Sequence, residues 1–220
     1  MSELFSIQLQ NRQQQGRDGV WLDLPTTTEQ VQAALRQIGI SSDNPQGLFI
    51  SGYFAEEEKR FAIPYNMVLA SNVDELNFLA ARLETLSAGE RAELNAALQA
   101  PQSELFSIGR ITDFPENVDY YVHLPDVHGP AQLGDYYLNR SGMVDMPEEW
   151  KAGIFLPRFG LHIANTEHGV FTDYGYLVKS GDEWQRVHEG QPVPEEYRVM
   201  AYPAPEILRD EAPARTVQPE

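Results

Sequence analysis

Histidine and carboxylate side chains occur close together at two places in the chain, and both kinds of side chain bind metal ions. One pair is His123 and His128, with an aspartate between them, and the other is His162 and His168, with an aspartate five residues beyond. Neither pair has the i, i+4 spacing that places two ligands on one helical face, and no His-Glu-x-x-His motif occurs. A metal-dependent hydrolase that uses His162 and His168 is therefore kept only as an alternative function.

Other catalytic arrangements are absent from the sequence. The chain has no cysteine, which excludes a thiolate nucleophile and every zinc site that contains cysteine. It has no Gly-x-Ser-x-Gly turn, no Gly-x-Gly-x-x-Gly loop and no phosphate-binding loop. The adjacent acids Glu148 and Glu149 could serve as general acid and base only if one were buried, and their polar surroundings predict solvated side chains. We therefore expect no catalytic residue, no cofactor and no enzymatic activity.

Acidic residues are about twice as numerous as basic ones. The 33 aspartates and glutamates against 16 lysines and arginines leave a net charge of −17. Such a field repels the phosphates of nucleic acids and membranes and attracts basic proteins. The excess is present in every part of the chain, so it describes the whole surface and not an acidic tail. We expect a basic protein partner, and neither nucleic acid nor membrane.

The sequence also lacks targeting and membrane signals. The residues that follow Met1 are polar and rich in glutamine, without the basic and apolar segments of a secretory signal. No apolar run approaches the ~20 residues that a membrane-spanning helix needs. We expect a cytoplasmic protein.

The first 70 residues are predicted to form a small α+β unit. Apolar residues recur with period two in two segments, which predicts strands at 4–9 and 19–24, and a third strand is predicted at 48–54. Thr26 and Glu29 have the spacing of a capping box, and the apolar positions after them predict a helix that ends at Gly39.

Residues 71–102 are predicted to form a helical hairpin. Asn72 with Glu75 and Ser87 with Glu90 have capping-box spacing, and each pair precedes an apolar stripe of helical period.

Residues 103–178 are predicted to form a second α+β unit. Its expected strands lie at 105–111, 118–124 and 168–178, with one helix between Gly129 and Gly142 and another that begins at Pro147. The hexapeptide Ser-Glu-Leu-Phe-Ser-Ile occurs at 2–7 and again at 103–108, which leaves a duplication of the two α+β units open.

The last segment, residues 179–220, is predicted to be an extension richer in proline and charge. From Pro203 onward almost no apolar period remains, which indicates a disordered tail.

Four short segments resemble the ArdA antirestriction family of conjugative plasmids and transposons. They are Gly19-Val20-Trp21-Leu22-Asp23-Leu24-Pro25, Asp74-Glu75-Leu76-Asn77-Phe78-Leu79-Ala80, Leu133-Gly134-Asp135-Tyr136-Tyr137 and Gly169-Val170-Phe171-Thr172-Asp173-Tyr174-Gly175-Tyr176. The resemblance covers residues 1–178. It implies an elongated protein of three small units that forms a homodimer through the C-terminal unit. It also implies a mimic of bent duplex DNA, which inhibits Type I restriction-modification enzymes by occupying their DNA-binding groove.

Two sets of residues are candidates for these roles. The acidic surface that would imitate DNA is predicted to comprise Asp74, Glu75, Glu84, Asp113, Glu116, Asp119, Asp126, Asp135, Asp145, Glu148 and Glu149. The chain departs from the family after the short helix, where residues 154–162 are mostly apolar. This segment suits burial or a dimer contact through Ile154, Phe155, Leu156, Phe159 and Leu161. The alternative is an acidic scaffold that binds some other basic protein. Surface acids and aromatics would suit that role as well as they suit DNA mimicry.

Overall fold

The computed structural model describes residues 4–14, 18–41, 45–56, 60–101 and 103–200. These residues form an α+β fold, as predicted, with two three-stranded antiparallel sheets among helices. None of the described helices is both long enough and apolar enough to cross a membrane.

The first sheet has the strand order β2-β1-β3, formed by β1 (Phe5–Asn11), β2 (Val20–Leu24) and β3 (Leu48–Phe54). All three strands were predicted, and β1 buries every second side chain. Both pairings are antiparallel, and a bulge between Gln8 and Leu9 shifts the register against β3.

Helix α1 (Thr28–Gln37) packs against this sheet through Val31, Ala34 and Leu35. Its capping box is formed by Thr27 and Gln30, one position later than the predicted pair of Thr26 and Glu29. The reason is tertiary, because Thr26 is buried and its backbone N–H donates to Asn77 Oδ1 at 2.7 Å.

The helical hairpin is present as predicted, with α3 (Val73–Glu84) and α4 (Ala88–Gln99). Both predicted capping boxes are formed, by Asn72 with Glu75 and by Ser87 with Glu90. A short helix that was not predicted, α2 (Tyr65–Leu69), precedes the hairpin and packs on β3.

The prediction of a strand at 105–111 is wrong, because this segment leads into helix α5 (Ile108–Thr112). The Ser107 hydroxyl accepts a hydrogen bond from the Arg110 backbone N–H and so caps the helix. The buried side chains Ile108, Ile111 and Thr112 have helical spacing. A turn of 3-10 helix follows at Phe114–Glu116.

The second sheet has the order β4-β6-β5, formed by β4 (Tyr121–Leu124), β5 (Val170–Thr172) and β6 (Gly175–Lys179). The single strand predicted at 168–178 is instead the hairpin of β5 and β6. Gly175 allows its turn, with a φ of 122° that side chains rarely adopt. The strand predicted at 118–124 is shorter at its start, where the chain turns before Tyr121.

Three helices cover the end of the third unit. Helix α6 (Pro130–Asp135) continues as a π-helical turn over Tyr136–Arg140, and the short α7 (Glu148–Lys151) follows Pro147, both near their predicted places. Helix α8 (Leu156–Glu167) was not predicted as a helix. It packs closely on α6, where Gly160 and Gly134 bring the two backbones together.

Residues 180–200 pack back onto the hairpin and α5. Trp184 contacts the ring of Tyr120, and Tyr197, in a 3-10 turn at Glu195–Tyr197, contacts Phe78 of α3. Val199 and Met200 are buried. This part of the extension is therefore folded structure, whereas the predicted tail from Pro203 onward lies outside the described residues.

One hydrophobic core joins buried side chains from β1 through the hairpin to β4, β6 and Met200. A second, smaller core lies under α6 and α8, around Leu133, Ala164 and Tyr176. The predicted units 1–70, 71–102 and 103–178 thus all contribute side chains to one core, and the third unit adds a core of its own.

Candidate functional site

Six of the predicted surface acids are exposed and lie in the third unit, Glu116 and five others. Asp119 and Asp126 flank strand β4, one before it and one after it. Asp145, Glu148 and Glu149 lie at and just before α7. Glu148 accepts a hydrogen bond from Lys151 Nζ at 2.7 Å. Exposed carboxylates at these places present negative charge to solvent from two sides of the unit.

Asp135 and Glu116 form ion pairs with arginines. Asp135 lies 3.3 Å from Arg140 Nε and also accepts a hydrogen bond from the Asn139 amide. Glu116 is paired with Arg82 of α3. A cation offsets part of the charge at each position, and Lys151 does the same for Glu148. These acids therefore present less negative charge than the four that form no ion pair with a described residue, which are Asp119, Asp126, Asp145 and Glu149.

The prediction that Asp113 belongs to the exposed surface is wrong, because its side chain is fully buried. Its two carboxylate oxygens accept hydrogen bonds from the backbone N–H groups of His188, at 2.6 Å, and Glu189, at 3.2 Å. A buried carboxylate has to be satisfied in this way. Asp113 therefore fixes residues 188–189 to the end of α5.

The hairpin acids lie mainly in structural positions. Asp74 is half-buried, and its Oδ1 accepts hydrogen bonds from the backbone N–H groups of Val199, at 2.7 Å, and Met200, at 2.8 Å. Glu75 closes the capping box of α3, and Glu84 lies half-buried in its last turn. Asp74 and Asp113 together anchor both ends of the segment 188–200.

Glu93 of α4 was not among the predicted residues, although it carries the most perturbed carboxyl group of the hairpin. Burial raises its pKa to about 8, with the nearby charges of Glu90 and Asp119 adding to the effect. Its Oε1 has no hydrogen-bond partner among the described residues. The carboxyl group is consequently protonated near neutral pH and does not contribute its full charge.

The tyrosines of two family motifs converge on one carboxylate. Tyr137 and Tyr176 donate hydroxyl hydrogen bonds to the two oxygens of Glu167, near the end of α8. Burial and the charge of Glu167 raise the pKa of both hydroxyls. The cluster ties α8 to α6 and to β6, so these tyrosines hold the third unit together.

A row of apolar side chains is exposed around α7 and α8. Phe155 is 72% exposed and Trp150 is 67% exposed, and Met143 and Leu161 are exposed as well. Among the predicted contact residues, Phe155 and Leu161 are thus at the surface, while three are half-buried: Ile154, Leu156 and Phe159. We refer to Met143, Trp150, Ile154, Phe155, Phe159 and Leu161 as the apolar surface.

The histidine pairs are not gathered into a metal site. His162 and His168 are both exposed, at the middle and the end of α8, and His123 Nε2 lies 2.7 Å from the Tyr174 carbonyl oxygen. Within the described ranges, the one group of three ligand atoms within 4.8 Å comprises Asp113, Glu116 and His188. The hydrogen bonds to Asp113 and the pairing of Glu116 with Arg82 account for this group.

A family model described as "Antirestriction protein (ArdA)" matches residues 15–178 of the chain. The chain belongs to the ArdA family of antirestriction proteins. No curated protein matches it. All of the predicted acids and apolar contact residues lie in the ArdA region, and all four motif segments do too. The folded segment 180–200 lies beyond it, and Asp74 and Asp113 of the ArdA region anchor that segment.

Proposed function

We propose that this ArdA protein inhibits restriction as a mimic of DNA, by occupying the DNA-binding groove of a Type I restriction-modification enzyme. Membership of an antirestriction family in a chain with a net charge of −17 carries the proposal. Such a charge attracts the basic groove that normally receives phosphates. Four exposed carboxylates of the third unit, Asp119, Asp126, Asp145 and Glu149, supply charge that no described cation offsets, and Glu148 adds to it although it is paired with Lys151.

The inhibitor is proposed to be a homodimer joined through the apolar surface. Exposed apolar patches of this kind mark protein contacts, since few monomers leave several large side chains in water together. Phe155 just before α8, Leu161 of α8 and Trp150 of α7 provide the central contact. Two copies in an elongated arrangement, each with the units 1–70, 71–102 and 103–178, would extend the acidic surface along a longer stretch of the groove.

Inhibition is proposed to be stoichiometric, without catalysis or cofactor. The protein competes with DNA for one site and leaves both the enzyme and the DNA chemically unchanged. Its action in the cytoplasm, where the restriction enzyme meets incoming DNA, follows from the same proposal.

The experiment that tests this function measures binding of the purified full chain to a Type I methyltransferase core, with duplex DNA as the competitor. We expect the protein to bind the core and to displace labelled DNA completely at one dimer per groove. Binding that leaves DNA in place would show a contact outside the groove. Failure to bind, together with capture of another basic protein, would favour the acidic scaffold.

A further inference from the structure

The outer face of the first sheet carries an aromatic pair beside a carboxylate. Trp21 and Asp23 lie two residues apart on β2 and are both exposed, whereas Leu22 and Leu24 point into the core. Trp21 is 49% exposed, and Phe54, at the end of β3, is 54% exposed. This face lies in the first unit and belongs neither to the acidic residues of the third unit nor to the apolar surface.

The strand register places Asp23 and Phe54 on the same face of the sheet, on either side of β1. Asp23 and Phe54 pair with the same residue of the central strand, Ser6, from its two sides. The Ser6 hydroxyl donates to Asp23 Oδ1 at 2.6 Å. One oxygen of this carboxylate is thereby held in place, and the other has no hydrogen-bond partner among the described residues.

The indole of Trp21 lies across the same face. Trp21 pairs with Gln8 of β1, and its ring meets Phe54 edge to face at a centroid distance of 6.5 Å. Gly52, on the far side of Gln8, leaves the room that the ring needs, because a Cβ there would lie 3.0 Å from the indole. The three side chains Trp21, Asp23 and Phe54 form what we call the aromatic-acid site.

No cation of the described part of the chain occupies this site. Elsewhere, aromatic rings already have a cation above them, in the pairs Arg12 with Phe49, Arg91 with Phe61, Arg110 with Phe106, Arg140 with Tyr136 and Lys179 with Tyr120. Tryptophan is the side chain that attracts cations best, yet the described residues place none over Trp21. Asp23 likewise forms no ion pair with a described residue. The site thus has an aromatic face and a carboxylate that both suit a cation from outside.

We propose that the aromatic-acid site binds an arginine side chain of the partner protein. A guanidinium can stack on an aromatic ring and donate to a carboxylate at the same time, because it is planar and has several N–H groups in one plane. A lysine ammonium lacks this geometry. The inference rests on the proposed function, because that function supplies the partner, a DNA-binding groove that bears arginines. The site adds a short-range contact to the long-range attraction of the acidic surface.

The first test uses peptides, so it does not depend on any restriction enzyme. The full chain, labelled with nitrogen-15, is titrated with hexa-arginine and with hexa-lysine, and the indole N–H resonances of its three tryptophans are followed. We expect the Trp21 resonance, assigned with Trp21→Phe, to shift saturably, with at least threefold tighter binding of hexa-arginine. Equal affinity for the two peptides, or no shift of Trp21, would overturn the proposal.

A matched pair of variants tests the carboxylate. Asp23→Asn should weaken the binding of hexa-arginine at Trp21 by about threefold. Asp182→Asn should leave it unchanged. Asp182 is also an exposed aspartate whose carboxylate accepts a serine hydroxyl hydrogen bond, from Ser180 at 3.0 Å, but it lies beyond β6, in the extension. Equal weakening by both variants would mean that only net charge matters, and would contradict a site at Asp23.

The second test measures binding to the Type I methyltransferase core. Trp21→Leu and Phe54→Leu should each weaken binding about threefold to tenfold, without changing the unfolding midpoint or the dimer. Unchanged affinity of both variants would overturn the arginine site and leave the proposed function standing. If the unmodified protein does not bind the core, the proposed function fails, and the peptide titration alone decides whether the site exists.

Discussion

Tyr137 donates its hydroxyl hydrogen bond to Glu167 at 2.5 Å, across the contact between the π-helical turn and α8. The second oxygen of Glu167 accepts from Tyr176 of β6 at 3.1 Å. One carboxylate thus joins two helical segments and a strand in the smaller core. These two tyrosines of the family motifs therefore serve packing.

The first prediction concerns this cluster. Tyr137→Phe should lower the free energy of unfolding by about 1.5–3 kcal/mol, because a hydrogen bond to a partly buried carboxylate is lost. Tyr65→Phe is the control, since the Tyr65 hydroxyl donates to the Ser51 carbonyl oxygen at the surface and should contribute about 0.5–1 kcal/mol. Urea denaturation of the two variants checks the difference, and equal losses would count against the structural role of the cluster.

The second prediction concerns the contact between α6 and α8. Gly160→Ala should destabilise the protein by about 3 kcal/mol or more, because the added Cβ would lie 1.8 Å from the Pro130 carbonyl oxygen. Gly89→Ala in α4 has no atom within 4 Å of its Cβ and should instead stabilise the protein by about 0.5–1 kcal/mol. Thermal unfolding of both variants measures the two signs. A Gly160→Ala protein as stable as the parent would contradict the close packing of the helices.

The third prediction concerns the pH dependence that Glu93 contributes. Its pKa is about 8 in the folded protein against an ordinary value of 4.5, so the folded state holds the proton more tightly. Its contribution to stability is therefore complete below pH ~4.5 and is lost as the pH rises through about 8. Glu93→Gln should leave stability at pH 5 nearly unchanged and raise it at pH 9 by about 1–2 kcal/mol, a range discounted for partial exposure of the group.

A second variant separates the cause of that pH dependence. Asp119→Asn removes one of the charges that raise the pKa of Glu93 and should produce part of the same gain at pH 9. Denaturant titrations at the two pH values provide the comparison. If Glu93→Gln and the parent protein show parallel stability at both pH values, the carboxyl group is not buried as described.

The fourth prediction concerns the anchored segment 188–200. Asp113→Asn should lower the free energy of unfolding by about 2–4 kcal/mol, because an amide offers one acceptor oxygen and turns its NH2 toward a backbone donor. Limited chymotrypsin digestion should cut faster at Trp184 and Tyr197. Asp182→Asn, at an exposed aspartate near this segment, should not change the cleavage rate. If neither variant is cleaved faster than the parent protein, Asp113 does not hold the segment.

Local signals were sufficient where the structure depends on neighbouring residues. The capping boxes at Asn72 and Ser87 and the alternation of β1 and β2 could all be recognised in the sequence. The same is true of the acids that stay exposed in the third unit, because they occur in polar sequence around α7 and β4.

Signals failed where distant contacts decide the conformation. In the first copy of the hexapeptide Ser-Glu-Leu-Phe-Ser-Ile, residues 5–7 lie in strand β1, whereas the second copy leads into helix α5, where Ser107 caps the helix. Helix α8 contains Pro157 and Gly160, residue types that in a sequence suggest the end of a helix. In the structure the proline lies in the first turn, and the glycine allows the contact with α6. Nor can sequence show that Asp74 and Asp113 accept hydrogen bonds from backbone groups about 75 to 126 residues away.

The measurement that tests the central claim most directly is the salt dependence of binding to one methyltransferase core. Affinities of duplex DNA and of this protein are measured over the same range of salt concentration. DNA binding has a slope of log affinity against log salt of about −0.9 for each phosphate neutralised, since condensed counterions are released. The protein's charges are too widely spaced to condense ions in that way, so its slope should be negative but shallower. A slope as steep as that of DNA, or none at all, would contradict the proposal that the protein binds as an electrostatic mimic of DNA.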